Sequence, residues 1–435
     1  MDFSKLTGVF GIAGLLFIAW LLSANRKMIS WRIVVSGLVI ILVFDVFVFV
    51  LPIGAEFFLL INNLMNGILD SATAGTRFVF GRLALAPGTT DEIGQTSIGF
   101  ILAIQSLSTM VFFSALVGIF YYTGIMTRVI RAFSFMFTKL MKISGAESLC
   151  GSANIFVGVE AALVIRPFLG KMTRSELNTI MTTGMATIAS SMLAAYITIL
   201  RGQFPNIAGH LVSAAVMNVA AAIVFSKILY PETEEPETIG KKVTPEYKRE
   251  SGLFEAIINS ANAGVKLVVG IVGMLLAVLG LVALLDKVMV IAGSHVNSLF
   301  SINLEWTLRG LLGYVFYPLT LLIGVPLHDA GYIAKIIGER LVLTEVPAFQ
   351  DLARLYSSGA GISPRSAVMA TYALTGFAHI ASVAIFVGGY AAIAPERTRD
   401  IARFGLRALV GANLACLMTA CMSGLFFTSS AILGL

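Results

Sequence analysis

Apolar residues in this chain gather into runs of about twenty, long enough to cross a hydrocarbon core of roughly 30 Å. Eight such runs are predicted to be membrane-spanning helices, at residues 9–23, 33–52, 98–124, 180–200, 211–230, 261–285, 366–393 and 404–427. In lipid every backbone polar group must find its partner within the segment, which selects helix. Ten-residue stretches of alternating polarity are absent, which argues against a barrel. Residues 54–97 read as a mixed, Gly-containing outer segment ending near Asp91 and Glu92, and 286–306 as a polar loop.

Two stretches break the pattern in the same way. Residues 144–170 are too interrupted by Gly and polar residues to cross lipid as one helix, and 311–349 repeat that character. Each is predicted to be a re-entrant helical hairpin, with tips at Val157–Glu160 and near Thr344–Glu345. The tip of each carries a glutamate in apolar surroundings, Glu160 and Glu345, and each stretch precedes an apolar run with a polar centre. Those centres are Ala186-Thr187-Ile188-Ala189-Ser190 and Ala378-His379-Ile380-Ala381-Ser382. Irregular backbone at membrane depth is tolerated only against protein or a wet cavity. A hairpin and an interrupted helix occurring twice are the pattern of a secondary transporter whose site lies between repeats.

Between runs, residues 128–142 alternate Arg128, Arg131, Lys139 and Lys142 with large apolar side chains. This predicts an amphipathic helix in the membrane interface, with a span-flanking loop as the alternative. Residues 231–252 are rich in Pro and charge and read as a soluble linker that buries no core.

Composition sharpens this picture. Of 435 residues, 57% are hydrophobic and only 12% charged, half the charged share of a soluble domain. The net charge of +6 is spread between the runs, which points to basic loops and away from nucleic acid. Placing those loops on the cytoplasmic side puts both termini outside and inverts the two hairpins relative to each other. The first run lacks a small-residue cleavage site and is followed by Arg26-Lys27, so it reads as a retained span. Cys150, Cys416 and Cys421 form no CxxC pair and imply free thiols.

The candidate chemistry lies at the breaks. A carboxylate inside a span costs about 2.5–3.5 kcal/mol on insertion scales. Glu160 and Glu345 therefore read either as hydrogen-bond acceptors for a polar solute, as protonatable groups, or as structural carboxylates paired with Arg166 or Arg340. Asn154, Val157, Thr187 and Ile188 supply neutral oxygens of the kind a hard monovalent cation needs. The alternative is that Thr187 bonds back within its own helix. His379 and Ser382 lie in the second polar centre, as solute contacts or as packed residues, and Phe377 offers an aromatic face. No Walker motif, GxSxG, HExxH or metal-ligand spacing stands in a credible context, which excludes the common enzyme classes.

At these residues the chain resembles the concentrative nucleoside transporter family. The likeness covers nearly the whole length, through SANRKMISWR, GTRFVFG, FFSALVGIFYYTGIM, SGAESLCGSANIFVG, RPFLGKMTRSEL, MTTGMATIASSMLAAY, KILYPETE, GVPLHDA, LVLTE, YALTGFAHIAS and APERTRDIA. The resemblance implies an all-α integral membrane protein with eight transmembrane helices, two re-entrant hairpins, an interfacial helix and inverted repeats. It implies a homotrimer in the bilayer, each chain moving its solute by an elevator-type displacement of a transport domain. Sodium would be the coupling ion, with no other cofactor. The sodium site would be Asn154, the Val157 carbonyl, Thr187 and the Ile188 carbonyl. Ribose would meet Glu345, Ser382 and Phe377, with His379 where the family has Asn, and the base would meet Glu160 and Met192.

Along the chain this divides into N-terminal scaffold (1–100), third span with interfacial helix (101–143), first transport repeat (144–230), linker (231–252), scaffold span (253–306) and second transport repeat (307–435). The departures sit at the site. The family's GQTEAP tip is GVEAA here, NEF is TEV, and GFANFSS is GFAHIAS. A site that loses a donor–acceptor pair loses discrimination for its partner. The expectation is a sodium-coupled importer of nucleosides or a nucleoside-like solute across the inner membrane, with altered base selectivity. Its rivals are a proton-coupled transporter of a related solute, and a membrane sensor or assembly protein that kept the fold.

Overall fold

The computed structural model describes residues 3–91, 93–245, 250–357 and 361–427, with only the backbone of 3–6. Glu92 of the outer segment and Lys248 and Arg249 of the linker lie outside them. Apart from two isolated β-bridges, the described elements are helical. In chain order they are α1 (Phe3–Leu21), α2 (Trp31–Phe49), α3 (Pro52–Phe80), α4 (Thr109–Tyr122), α5 (Ile125–Met141) and α6 (Gly145–Ala153). Then come α7 (Ala161–Val164), α8 (Arg166–Leu169), α9 (Arg174–Ala186), α10 (Ser190–Leu200), α11 (Ile207–Leu229) and α12 (Leu253–Phe300). The chain closes with α13 (Leu308–Leu322), α14 (Leu327–Leu343), α15 (Glu345–Ser357), α16 (Pro364–Leu374), α17 (Ile380–Ile393) and α18 (Thr398–Phe426).

Among the described residues, seven helical segments are long and apolar enough to cross a membrane. They differ in what surrounds them. The α9–α10, α11 and α18 segments are 83%, 89% and 78% buried within the chain, whereas α12 is only 11% buried. The first three form the core, with α2 and α1 against α11 and α18. The long α12 packs chiefly along α4 and presents most of its apolar surface outward, as a helix covered by lipid or by another chain does.

Three sequence expectations are corrected. Residues 52–80 form one continuous helix in place of a mixed segment. Its polar residues hide it from a hydropathy reading, yet one of them faces inward: the Asn62 side-chain amide donates to Asn206 Oδ1 at 3.1 Å. Residues 286–300 continue α12 instead of forming a loop. Asp286 and Asn297 point sideways, where Asp286 accepts the Leu308 N–H at 2.7 Å and caps α13, and Asn297 accepts the Trp306 indole N–H at 2.9 Å. The second hairpin is α14–α15, reaching Ser357, while α13 is a separate helix packed on α14 beyond the turn at Gly324.

The linker is also more than a spacer. Gly145 N–H donates to the Thr238 carbonyl at 2.9 Å and Ala146 N–H to its hydroxyl at 3.1 Å. These are free N–H groups of the α6 first turn, so residues 236–241 dock on the start of the first hairpin. Ser144 and Glu147 close a capping box there, and Lys227 at the end of α11 reaches Glu147 at 2.6 Å.

Candidate functional site

Both interrupted helices are broken where polar residues interrupt the apolar run. The first opens at residues 187–189, between α9 and α10, as expected. The second opens at 375–379, slightly earlier than expected, because Ile380–Ser382 already form the first turn of α17. Each break frees N–H and C=O groups that must be satisfied inside the protein. Ser190 donates its N–H (3.0 Å) and hydroxyl (2.7 Å) to the Phe156 carbonyl, so the first tip is docked on the first break. Phe377 N–H donates to the Thr187 carbonyl at 3.2 Å, joining the two breaks.

The freed carbonyls of the second break are covered by side chains whose role the sequence does not announce. Arg340, fully buried on α14, donates to the Ala373 carbonyl and to Asn413 Oδ1. Asn218 covers the Thr375 carbonyl, and Asn413 the Ala378 carbonyl at 3.2 Å. The pairing of Arg340 with Glu345 is thereby corrected. The guanidinium is spent on the backbone of the break.

Gly376 sits at the closest approach. A Cβ there would lie 2.7 Å from the Ala186 carbonyl oxygen and 2.8 Å from Cys416 Sγ. Gly376→Ala is therefore expected to force the breaks apart and destabilise by about 1–3 kcal/mol. Thermal unfolding of the purified variant measures this, and an unshifted midpoint would show the breaks to be loosely joined.

Tips and breaks share one cavity of about 490 Å³. All six candidate solute contacts line it: Glu160, Met192, Glu345, Phe377, His379 and Ser382. Its far wall, also missed from sequence, comes from α4 and α12, including Tyr121, Asn259 and Ser260.

Glu345 is buried at the second tip. Tyr196 donates its hydroxyl to one carboxylate oxygen. Tyr196 lies one turn past Met192 on α10, an i, i+4 spacing that could have been read from the sequence. His379 Nε2 stands 3.2 Å from the other oxygen, off the line of a good hydrogen bond. The His379 tautomer follows from its other side. Nδ1 accepts the Ser382 N–H at 3.1 Å and caps α17, so the ring proton sits on Nε2, facing Glu345. A carboxylate offers about four lone-pair sites; Glu345 keeps acceptor capacity toward the cavity. Ser382 is buried and donates to the His379 carbonyl at 2.6 Å.

Glu160 differs from its expected counterpart. It is exposed on the cavity wall and not buried. Val157, Gly158 and Val159 beside it are half-buried, and the two valines pack against the core while the carboxylate is left on the cavity side.

Two of the four candidate sodium ligands, Asn154 and Thr187, are joined through Thr183. Asn154 is fully buried, and its side-chain amide donates to Thr183 Oγ1 at 3.3 Å. Its Oδ1 is buried with no partner among the described residues. Thr187 donates to the carbonyl of the same Thr183 at 2.9 Å, which leaves its hydroxyl lone pairs free. Ile188 lies inside the first break and Val157 in the first tip. An orphaned amide oxygen, a hydroxyl, and two carbonyls to which no backbone N–H donates among the described residues are the donor types a sodium ion carried as cargo requires.

Comparison with known proteins agrees with this architecture. Three family models match: Na+ dependent nucleoside transporter N-terminus over 10–83, Nucleoside recognition over 103–203, and Na+ dependent nucleoside transporter C-terminus over 210–424. An uncharacterized transporter of Haemophilus influenzae is 35% identical, covering 97% of this chain and 98% of that protein. The nucleoside permease NupC of Helicobacter pylori is 32% identical over 98% of this chain and 99% of its own length. The solved structure of CNTnw in an inward-facing substrate-bound state superposes with a TM-score of 0.88, at 32% identity and 98% coverage of both chains. With two hairpin tips and two broken helices meeting at one cavity, and relatives matching end to end, this chain belongs to the concentrative nucleoside transporter family, a family of multi-pass membrane transporters and not of enzymes.

Proposed function

We propose that the protein is a sodium-coupled symporter that imports nucleosides or a nucleoside-like solute across the inner membrane. The observation that carries this is the convergence of both tips and both breaks on one cavity holding Glu345, with the orphaned Asn154 oxygen behind it. Glu345 accepts the sugar hydroxyls, Ser382 and His379 flank them, Phe377 packs on the sugar, and Glu160 and Met192 meet the base. The α6–α8 and α14–α15 hairpins are re-entrant from opposite sides. Three copies assemble around their α4 and α12 walls, and the hairpin-bearing body moves past them as an elevator.

Base selectivity differs from the family's because the first tip presents Val157, Gly158, Val159 and Glu160 to the cavity in place of a Gln-Thr pair. A wall with one carboxylate and little else to hydrogen-bond favours bases that donate N–H groups. Coupling to sodium is supported by the His379 geometry. Protonating Nδ1 would break the α17 cap, so this imidazole is poorly placed to relay protons. The exposed Glu160 supports the proton-coupled reading instead.

Uptake of labelled uridine, adenosine and inosine into proteoliposomes separates these readings. A sodium gradient is expected to drive accumulation, and a pH gradient alone is not. Uptake driven by pH without sodium would move the coupling role to Glu160. No flux of any nucleoside would leave a non-transporting member of the family.

A further inference from the structure

A second cavity lies outside the solute site, between α5 and the docked linker. Its volume is about 720 Å³. Four cationic side chains line it, Arg131, Lys139 and Lys142 from the α5 region and Lys242 from the linker. None of the four forms an ion pair among the described residues, and no carboxylate from those residues lines the space. Lys139 and Lys142 stand at the C-terminal end of α5, where the helix dipole alone would favour cations. Arg131, two turns earlier, and Lys242, on another segment, have no such reason to converge.

The surroundings are amphiphilic. Lys139 and Lys242 place their ammonium groups 5.6 Å and 4.9 Å from the Phe135 ring centre. Phe135 and Ile239 line the cavity and are themselves exposed. Ser134 and Thr138 add hydroxyls between the charges. The linker wall is held by the Thr238 hydrogen bonds to α6 described above, so the charges face a built space and not a mobile tail.

We propose that this cavity binds a phosphate-bearing anion, supplied by the headgroup of an anionic phospholipid. Converging cations meet the phosphate, and the exposed Phe135 and Ile239 meet the upper part of the acyl chains. The site depends on α5 lying in the membrane interface and is independent of which solute or ion the protein carries. It also offers a physical role for the linker. A lipid headgroup there ties residues 239–244 to α5 and, through Thr238, to the start of the first hairpin.

The test uses the full chain in detergent, with native mass spectrometry and thermal unfolding in parallel. Dioleoylphosphatidylglycerol is expected to remain bound and to raise the unfolding midpoint, whereas dioleoylphosphatidylcholine does neither. The double variant Arg131→Gln/Lys242→Gln is expected to bind the anionic lipid roughly 30-fold more weakly, at about 1 kcal/mol for each cation removed. A second variant, Lys27→Gln/Lys287→Gln, removes two exposed cations that line no part of this cavity and form no ion pair among the described residues, and is expected to bind it as the parent does. Equal losses in both variants would reduce the effect to net charge and overturn the site. Stabilisation by inorganic phosphate as strong as by the lipid would assign the cavity to a free anion and overturn the lipid assignment.

Discussion

Glu345→Gln is expected to weaken nucleoside binding by roughly tenfold to a hundredfold. A hydrogen bond to a charged acceptor contributes about 1.5–3 kcal/mol net, and each 1.4 kcal/mol is a factor of ten. The surroundings of Glu345 set the sign. Tyr196 donates to one oxygen, and the His379 Nε2 proton faces the other. A glutamine keeps the volume but has one oxygen and one NH2 group. Its NH2 cannot face His379, because two donors would then oppose each other while Nδ1 is held by Ser382. The amide must turn its oxygen to His379 and its NH2 to the Tyr196 hydroxyl, which can accept. No charged acceptor then remains for a sugar diol. Binding of adenosine and uridine, measured by calorimetry at saturating sodium, should fall, while stabilisation by sodium alone should persist. Unchanged affinity for both would place the sugar elsewhere in the cavity.

Why Glu345 and His379 are legible, and Tyr196 and the groups covering the second break are not, is a matter of distance along the chain. A carboxylate in an apolar run is conspicuous, since nothing local can satisfy it. Asn154 and Thr187 were visible for the same reason, as polar residues at the ends of interrupted helices. Tyr196, Asn218, Arg340 and Asn413 look ordinary in their own segments. Arg340 sits in a helix rich in charged residues and reads as a partner for the nearby Glu345, yet it is fully buried and covers a carbonyl 33 positions away. Its role exists only once α16 has broken and exposed that carbonyl.

The opposite error occurred at Glu160. Hydropathy around it is high, but the carboxylate stands exposed on the cavity wall. Composition cannot distinguish a wet cavity from a dry core. Similarly, α3 and the last third of α12 were lost because hydropathy counts a polar side chain as an interruption even when it caps a neighbouring helix.

Asn154→Leu carries the sharpest prediction about coupling, because its effects without and with sodium differ. Asn154 is fully buried, and its Oδ1 has no partner among the described residues. An unsatisfied buried acceptor costs about 1–3 kcal/mol; leucine has the same branched shape but is larger, so overpacking of similar size offsets the relief, and in sodium-free buffer the unfolding midpoint should shift little. At the proposed ion site, bound sodium would stabilise the parent by RT ln(1 + [Na+]/Kd), and removing one of the few neutral oxygens there should abolish most of that gain. The sodium concentration for half-maximal uptake is expected to rise more than tenfold. A merely structural asparagine would behave otherwise. Losing its bond to Thr183 would lower the midpoint in both buffers and leave the sodium-dependent increment intact. A full sodium increment in the leucine variant would therefore remove Asn154 from the ion site. The Val157 and Ile188 carbonyls and Thr187 would then need a different fourth ligand, since two carbonyls and a hydroxyl alone do not replace a sodium ion's hydration shell.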